Sequence, residues 1–143
     1  MNQAELQQLA TERIYDADAL LAGGRWAFAY YVAGYAVECA LKSSVLARMV
    51  VTGGVFQDKK FAADCWTHDF DELINVAGLA PELNARLAAS AAAGDAFVTN
   101  WGIVTQWKET ARYETKTEGK ARDLYRAITD NPDGVLLRIQ NYS

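Results

Sequence analysis

Apolar residues along this chain recur at three- and four-residue intervals and nowhere alternate with polar ones, so the pattern predicts helices throughout and an all-α fold. Leu6, Leu9, Ala10, Ile14, Ala17, Leu20 and Leu21 mark one face of a first helix, with Asn2 placed to cap it and the end near Ala22. Gly23–Gly24 then supplies the left-handed residue that ends helices. The stretch Arg25 to Arg48 is different in kind. From Trp26 to Val37 it holds no charge, so it lacks the polar half of a surface helix. It predicts a central helix covered on most sides. Ala29, Ala33, Ala36 and Ala40 form a strip of small residues that lets a neighbouring helix come close. The link between these two helices is so short that they must pack antiparallel.

The rest of the chain is more broken. Gly53–Gly54 and the charges from Asp58 to Lys60 indicate a loop, and Phe61 to Trp66 has room for a short turn. Thr67 reads as an N-cap, with Asp69 and Asp71 in the first turn of a helix that passes Leu73, Ile74 and Ala77 and stops at Gly78. Pro81 opens another helix. Leu83 and Leu87 are its apolar positions, the run Ala88 to Ala93 keeps it slim, and Gly94 breaks or bends it. Trp101 and Trp107 read as core anchors. A later helix is predicted from Thr117 to Thr129 with Ala121, Leu124, Tyr125 and Ile128 inward. Asn131-Pro132-Asp133-Gly134 is a turn, and Asp133 is placed to cap a short terminal helix from Val135 to Gln140.

The totals narrow the classes. The 143 residues suit one domain over residues 1–143, and 51% hydrophobic with 22% charged residues is a globular balance. A net charge of −4 means that any nucleic-acid contact needs a local basic patch. One histidine and two cysteines, Cys39 and Cys65, provide neither a metal-ligand spacing nor a disulfide framework, so no metal or cofactor is expected. The polar N-terminus is unlike a signal or transit peptide. The uncharged run of 12 residues is far short of the ~20 that span a bilayer, so the reading is a soluble cytoplasmic protein with no membrane role.

Two surfaces stand out. At about 100° per residue, Tyr31, Tyr35, Glu38 and Lys42 share one edge of the central helix. That edge is either the seam with solvent or a contact surface for a second subunit. Aromatic residues are enriched at interface centres, so a homodimer is expected along it together with part of the Arg112 block. Arg112, Tyr113 and Lys116, followed by Lys120, Arg122 and Arg126, form a basic cluster suited to phosphate, with Tyr113 available to stack on a base. Glu109, Glu114, Glu118 and Asp123 interleave with it and allow a salt-paired surface instead. His68, at a helix start, reads as a structural residue, and Cys65 three positions earlier is a weak nucleophile signal.

Four pieces in order carry a resemblance. They are AYYVAGYAVECALKS at 29–43, Thr67-His68-Asp69-Phe70, Asn100-Trp101 with Trp107, Arg112 and Tyr113, and ARDLYRAI at 121–128 followed by Asp130 and Gly134-Val135. Together they resemble the HEPN family of small helical-bundle domains. The resemblance implies an antiparallel four- to five-helix bundle, usually a homodimer. Family members bind nucleotide or RNA. Many are ribonucleases of toxin–antitoxin or defence systems, and others pair with a minimal nucleotidyltransferase. The ribonuclease members carry an arginine and, several residues on, a histidine on a late helix. Here Arg112 is followed by YETKTEGKARD, without histidine. The expectation is therefore a dimeric domain that binds nucleotide, RNA or a nucleotidyltransferase partner without catalysis of its own. The alternative is a metal-independent ribonuclease with a substitute acid or base, such as Tyr113, Glu118 or His68.

Overall fold

A computed structural model of the chain describes residues 2–51, 67–90 and 95–142. The described residues form seven α-helices and one 3-10 turn, with no strand among them. The helices are α1 (Gln3–Ala22), α2 (Trp26–Val51), α3 (Phe70–Ala77), α4 (Ala80–Ser90), α5 (Ala96–Val104), α6 (Glu118–Thr129) and α7 (Val135–Tyr142), and the 3-10 turn covers Glu109–Tyr113. The all-α expectation holds, with more and shorter helices than a four- or five-helix bundle. The expected loop at Gly53–Gly54 and Asp58–Lys60, the turn at Phe61–Trp66, Cys65, the end of the Ala88–Ala93 run and Gly94 lie outside the described residues.

Local chemistry explains most of the boundaries. Asn2 Oδ1 accepts from the Glu5 N–H at 2.8 Å while Glu5 Oε2 accepts from the Asn2 N–H at 2.8 Å, a reciprocal cap for α1. Gly24, at φ 73°, reverses the chain into α2. The cap of α3 is Asp69 rather than Thr67. Asp69 Oδ1 accepts from Asp71 N–H and Glu72 N–H, and Thr67 Oγ1 in turn accepts from Asp69 N–H. The shift by two residues follows from charge: a carboxylate complements the helix N-terminus better than a hydroxyl. At the other end of α3, Arg48 of α2 donates to the carbonyls of Asn75 and Val76 at 3.1 and 2.8 Å. Thr117, read as the first residue of this helix, is instead the N-cap of α6, its side chain accepting from Lys120 N–H. Asp133 instead sits with Oδ1 3.9 Å from both Arg86 and Arg138.

α2 is the axis of the fold and packs against α1, α3, α6, α7 and the 3-10 turn. Ala29, Ala33, Ala36 and Ala40 are all buried, which permits the extensive α1–α2 contact. On α1, Leu6, Ala10, Ala17 and Leu21 are buried and Leu9, Ile14 and Leu20 only partly so. Trp107 is a core anchor at 2% exposure, whereas Trp101 is only partly buried. Ala121, Leu124 and Ile128 of α6 face inward, with Tyr125 at the margin. No described helix is long and apolar enough to cross a membrane.

Candidate functional site

Residues 28, 31, 35, 38 and 42 follow one another at alternating three- and four-residue steps, so their side chains form one stripe along α2. The stripe begins with an aromatic ladder. Phe28 and Tyr31 stack at 6.0 Å and 19°, and Tyr31 and Tyr35 at 6.3 Å and 10°. Behind it, Trp107 stacks on Tyr31 at 6.0 Å and on Phe70 at 5.0 Å. The indole reaches this position because residue 34 is glycine. A Cβ there would overlap the indole Nε1, Cδ1 and Cε2. Trp107 Nε1 is buried without a hydrogen-bond acceptor.

One turn beyond the ladder lies the polar end. Glu38 is 1% exposed, yet it is a carboxylate. Its Oε1 accepts from Lys42 Nζ at 3.0 Å and also meets His68 Nδ1, thirty residues on in sequence. Its Oε2 is buried without a partner. A carboxylate only accepts, so His68 donates through Nδ1, and the lone pair of the neutral ring is on Nε2. The His68 side chain remains 48% exposed. Asp69, beside it, lies 3.9 Å from Lys108 Nζ.

The expected phosphate-binding trio divides. Arg112 Nη2 lies 3.3 Å from Glu109 Oε1, and its guanidinium stacks over the Tyr113 ring at 4.8 Å. Its pKa is raised, first by Tyr113 and further by Glu109 and Tyr31. Tyr113 is 76% exposed. Lys116 turns the other way, over the Tyr30 ring at 4.7 Å, with Glu114 Oε2 2.9 Å from its ammonium. Burial raises the Tyr30 hydroxyl pKa, and Lys116 opposes that rise. The structure thus gathers Tyr31, Tyr35, Glu38, Lys42 and Arg112 along one side and sets Lys116 near the start of α2.

A homodimer along the Tyr31–Tyr35–Glu38–Lys42 edge meets a constraint, because Glu38 is engaged and buried within one chain. Sequence reading missed His68 as the partner of Glu38, Phe28 as the first rung of the ladder, and Trp107 as its back wall. The spacing of Phe28 from Tyr31 carried a signal for the second; the other two depend on packing. Burial pushes the Cys39 thiol up to about 11, which keeps it protonated and inert at neutral pH. Among the described residues no three His, Cys, Asp or Glu side chains group as metal ligands. Comparison with family models, curated proteins and solved structures returns no match.

Chemically, the stripe joins a run of stacked aromatic rings to an ion-paired lysine and to one imidazole held by a buried carboxylate.

Proposed function

We propose that this protein is a HEPN-like domain that binds nucleotide or RNA along the exposed side of α2. The aromatic ladder Phe28–Tyr31–Tyr35 carries the reading, since bases stack on such faces irrespective of sequence. Arg112 at one side and Lys42 at the far end supply positive charge for phosphate. As a homodimer, two copies would meet beside this strip through Tyr31, Tyr35 and the Arg112 block, with the ligand in the seam. A minimal nucleotidyltransferase is the protein partner that the family resemblance implies. Titration with labelled ATP, GTP and short RNA tests the site. Binding that Arg112→Ala or Tyr35→Ala weakens supports it, and wild-type binding in both variants contradicts it. Sedimentation equilibrium tests the dimer against the 15.7 kDa of one chain.

A second reading, the metal-independent ribonuclease, is favoured by one observation: His68 is oriented by buried Glu38 and stays reachable from solvent. Such a carboxylate–imidazole pair has the arrangement of a general base with its orienting group. RNA cleavage in EDTA that His68→Ala abolishes, with RNA binding retained, supports this reading. Intact RNA under the same conditions removes it.

A further inference from the structure

Two buried polar atoms on the α2 stripe have no hydrogen-bond partner among the described residues, and they complement each other. Trp107 Nε1 is a donor and Glu38 Oε2 an acceptor. Both side chains are almost fully buried, Glu38 at 1% and Trp107 at 2% exposure. A donor or acceptor left unmade in a protein interior keeps the full cost of its lost hydration.

The fold sets these two atoms about one helical turn apart. Trp107 Nε1 lies against Gly34, where a Cβ would overlap it. Glu38 is four residues on, so it shares that face of α2 and lies about 6 Å further along the axis. Helical side chains lean towards the N-terminus, which carries the Glu38 carboxylate back over the turn that begins at Gly34. Its Oε1 is taken by Lys42 and His68, and Oε2 is the oxygen left over. Phe70 and Tyr31 stack on the indole at 5.0 and 6.0 Å, so its one polar atom sits among rings.

Whatever joins the pair must accept from the indole and donate to the carboxylate. An anion is repelled by Glu38. A metal cation is repelled by the N–H and by the Lys42 ammonium, and it finds one oxygen where it needs several. A neutral molecule that accepts and donates through a single atom fits, and water is that molecule. Two hydrogen bonds of about 2.8 Å give one water a reach of up to about 5.6 Å. Buried waters hold their places with about two to four such partners.

We infer that one water molecule is bound between Trp107 Nε1 and Glu38 Oε2 as a fixed part of the fold. It accepts from the indole and donates to the carboxylate. Glu38 then receives donors from three segments: Lys42 on its own helix, His68 ahead of α3 and, through the water, Trp107 ahead of the 3-10 turn. The water fixes the plane of the carboxylate, and with it the direction in which His68 is held. Gly34 is required twice over, since a side chain there would displace both the ring and its N–H. The site goes beyond the ligand readings above and stands without them, because it involves neither nucleotide nor RNA.

The test is a pair of water-selective NOESY and ROESY spectra on the nitrogen-15-labelled full chain. They are read at the Trp107 indole N–H, which its contact with Gly34 identifies among the four tryptophans. A cross-peak to water with the sign of a long-lived bound molecule is expected. It persists in Tyr31→Phe and Tyr35→Phe, which removes relay through an exchanging hydroxyl. It is lost in Glu38→Met, which keeps the side chain's length and removes the acceptor, with circular dichroism confirming the fold. A protected indole N–H without the cross-peak overturns the site. So does an indole N–H that exchanges rapidly, since the group is then open to solvent. A cross-peak that vanishes in either tyrosine variant, or survives in folded Glu38→Met, also overturns it. The wild-type and tyrosine spectra decide the site even where Glu38→Met does not fold.

Discussion

Two charged clusters in this molecule are built from similar groups and behave differently. At the α5–α7 end, Arg86 grips Asp95 with two hydrogen bonds of 2.9 and 3.1 Å. Arg86 and Arg138 both stack over Phe97, at 5.5 and 5.7 Å. Asp95 also caps α5 through the N–H groups of Phe97 and Val98, and Asn100 ties the neighbouring turn by donating to the Asp133 carbonyl at 2.9 Å. These contacts tie α4, α5 and the turn before α7 together. On the α2 stripe, by contrast, the carboxylate is the buried member, one of its oxygens has no partner, and its histidine faces solvent. The bracing cluster keeps its charges about a quarter exposed and leaves Arg138 Nε without a partner, whereas the α2 stripe buries its carboxylate almost completely. Burying Glu38 costs desolvation that two neighbours only partly offset. A nearly fully buried carboxylate that holds a solvent-facing imidazole distinguishes the α2 stripe from the bracing cluster.

The sharpest way to separate the two ends is to add a methyl group to each. Gly34→Ala drives a Cβ into the Trp107 indole and is expected to cost about 3 kcal/mol or more in urea unfolding, since the ring must leave a packed core. The mirror experiment uses Gly102 in α5, where a Cβ would meet nothing within 4 Å. Gly102→Ala is expected to stabilise by about 0.5–1 kcal/mol through helix propensity, the smallest effect of this series. Equal and opposite outcomes would break the distinction.

Between these extremes lies the charge comparison. Lys42→Met leaves Glu38 buried with His68 alone and is expected to cost about 3 kcal/mol. Arg86→Met, at a pair about a quarter exposed, lowers the melting temperature by less. Only the first class should reach the imidazole. The His68 ring resonances in NMR move in Glu38→Gln and stay in place in Asp95→Asn.

A pH series sharpens the contrast further. The Cys39 thiol, buried on α2, is raised from its ordinary 9.0 to about 11. The fold therefore holds this proton more tightly than the unfolded chain does. Between pH 9 and 11 unfolding releases it, so stability falls as pH rises, by up to about 2 kcal/mol from this group. Cys39→Ala reduces that slope without flattening it, because the Tyr30 and Tyr35 hydroxyls are also raised by burial. Asp95 is shifted the opposite way, lowered chiefly by the Arg86 hydrogen bond. Its contribution is present above the ordinary carboxylate range and fades as pH falls through its own lowered value. Alkaline melts thus include the buried groups of α2 together with Tyr125 of α6, and acid melts include the Asp95–Arg86 contact.

The sequence by itself determined the helical class, the antiparallel α1–α2 pair and the stripe Tyr31–Tyr35–Glu38–Lys42. All three follow from spacing within a single helix or from a link too short to allow another arrangement. The small residues of α2 told where a neighbour could approach closely, because volume along one helix face is a local property. Tertiary structure alone decided that His68 meets Glu38, that Trp107 lies over Gly34, and that Lys116 turns to Tyr30 while Arg112 stays beside Tyr31. Each of these joins residues from different segments, and their meeting depends on how α3 and the 3-10 turn pack on α2. A periodic pattern carries direction around its own helix axis, and it carries no information about which distant side chain arrives to fill that direction.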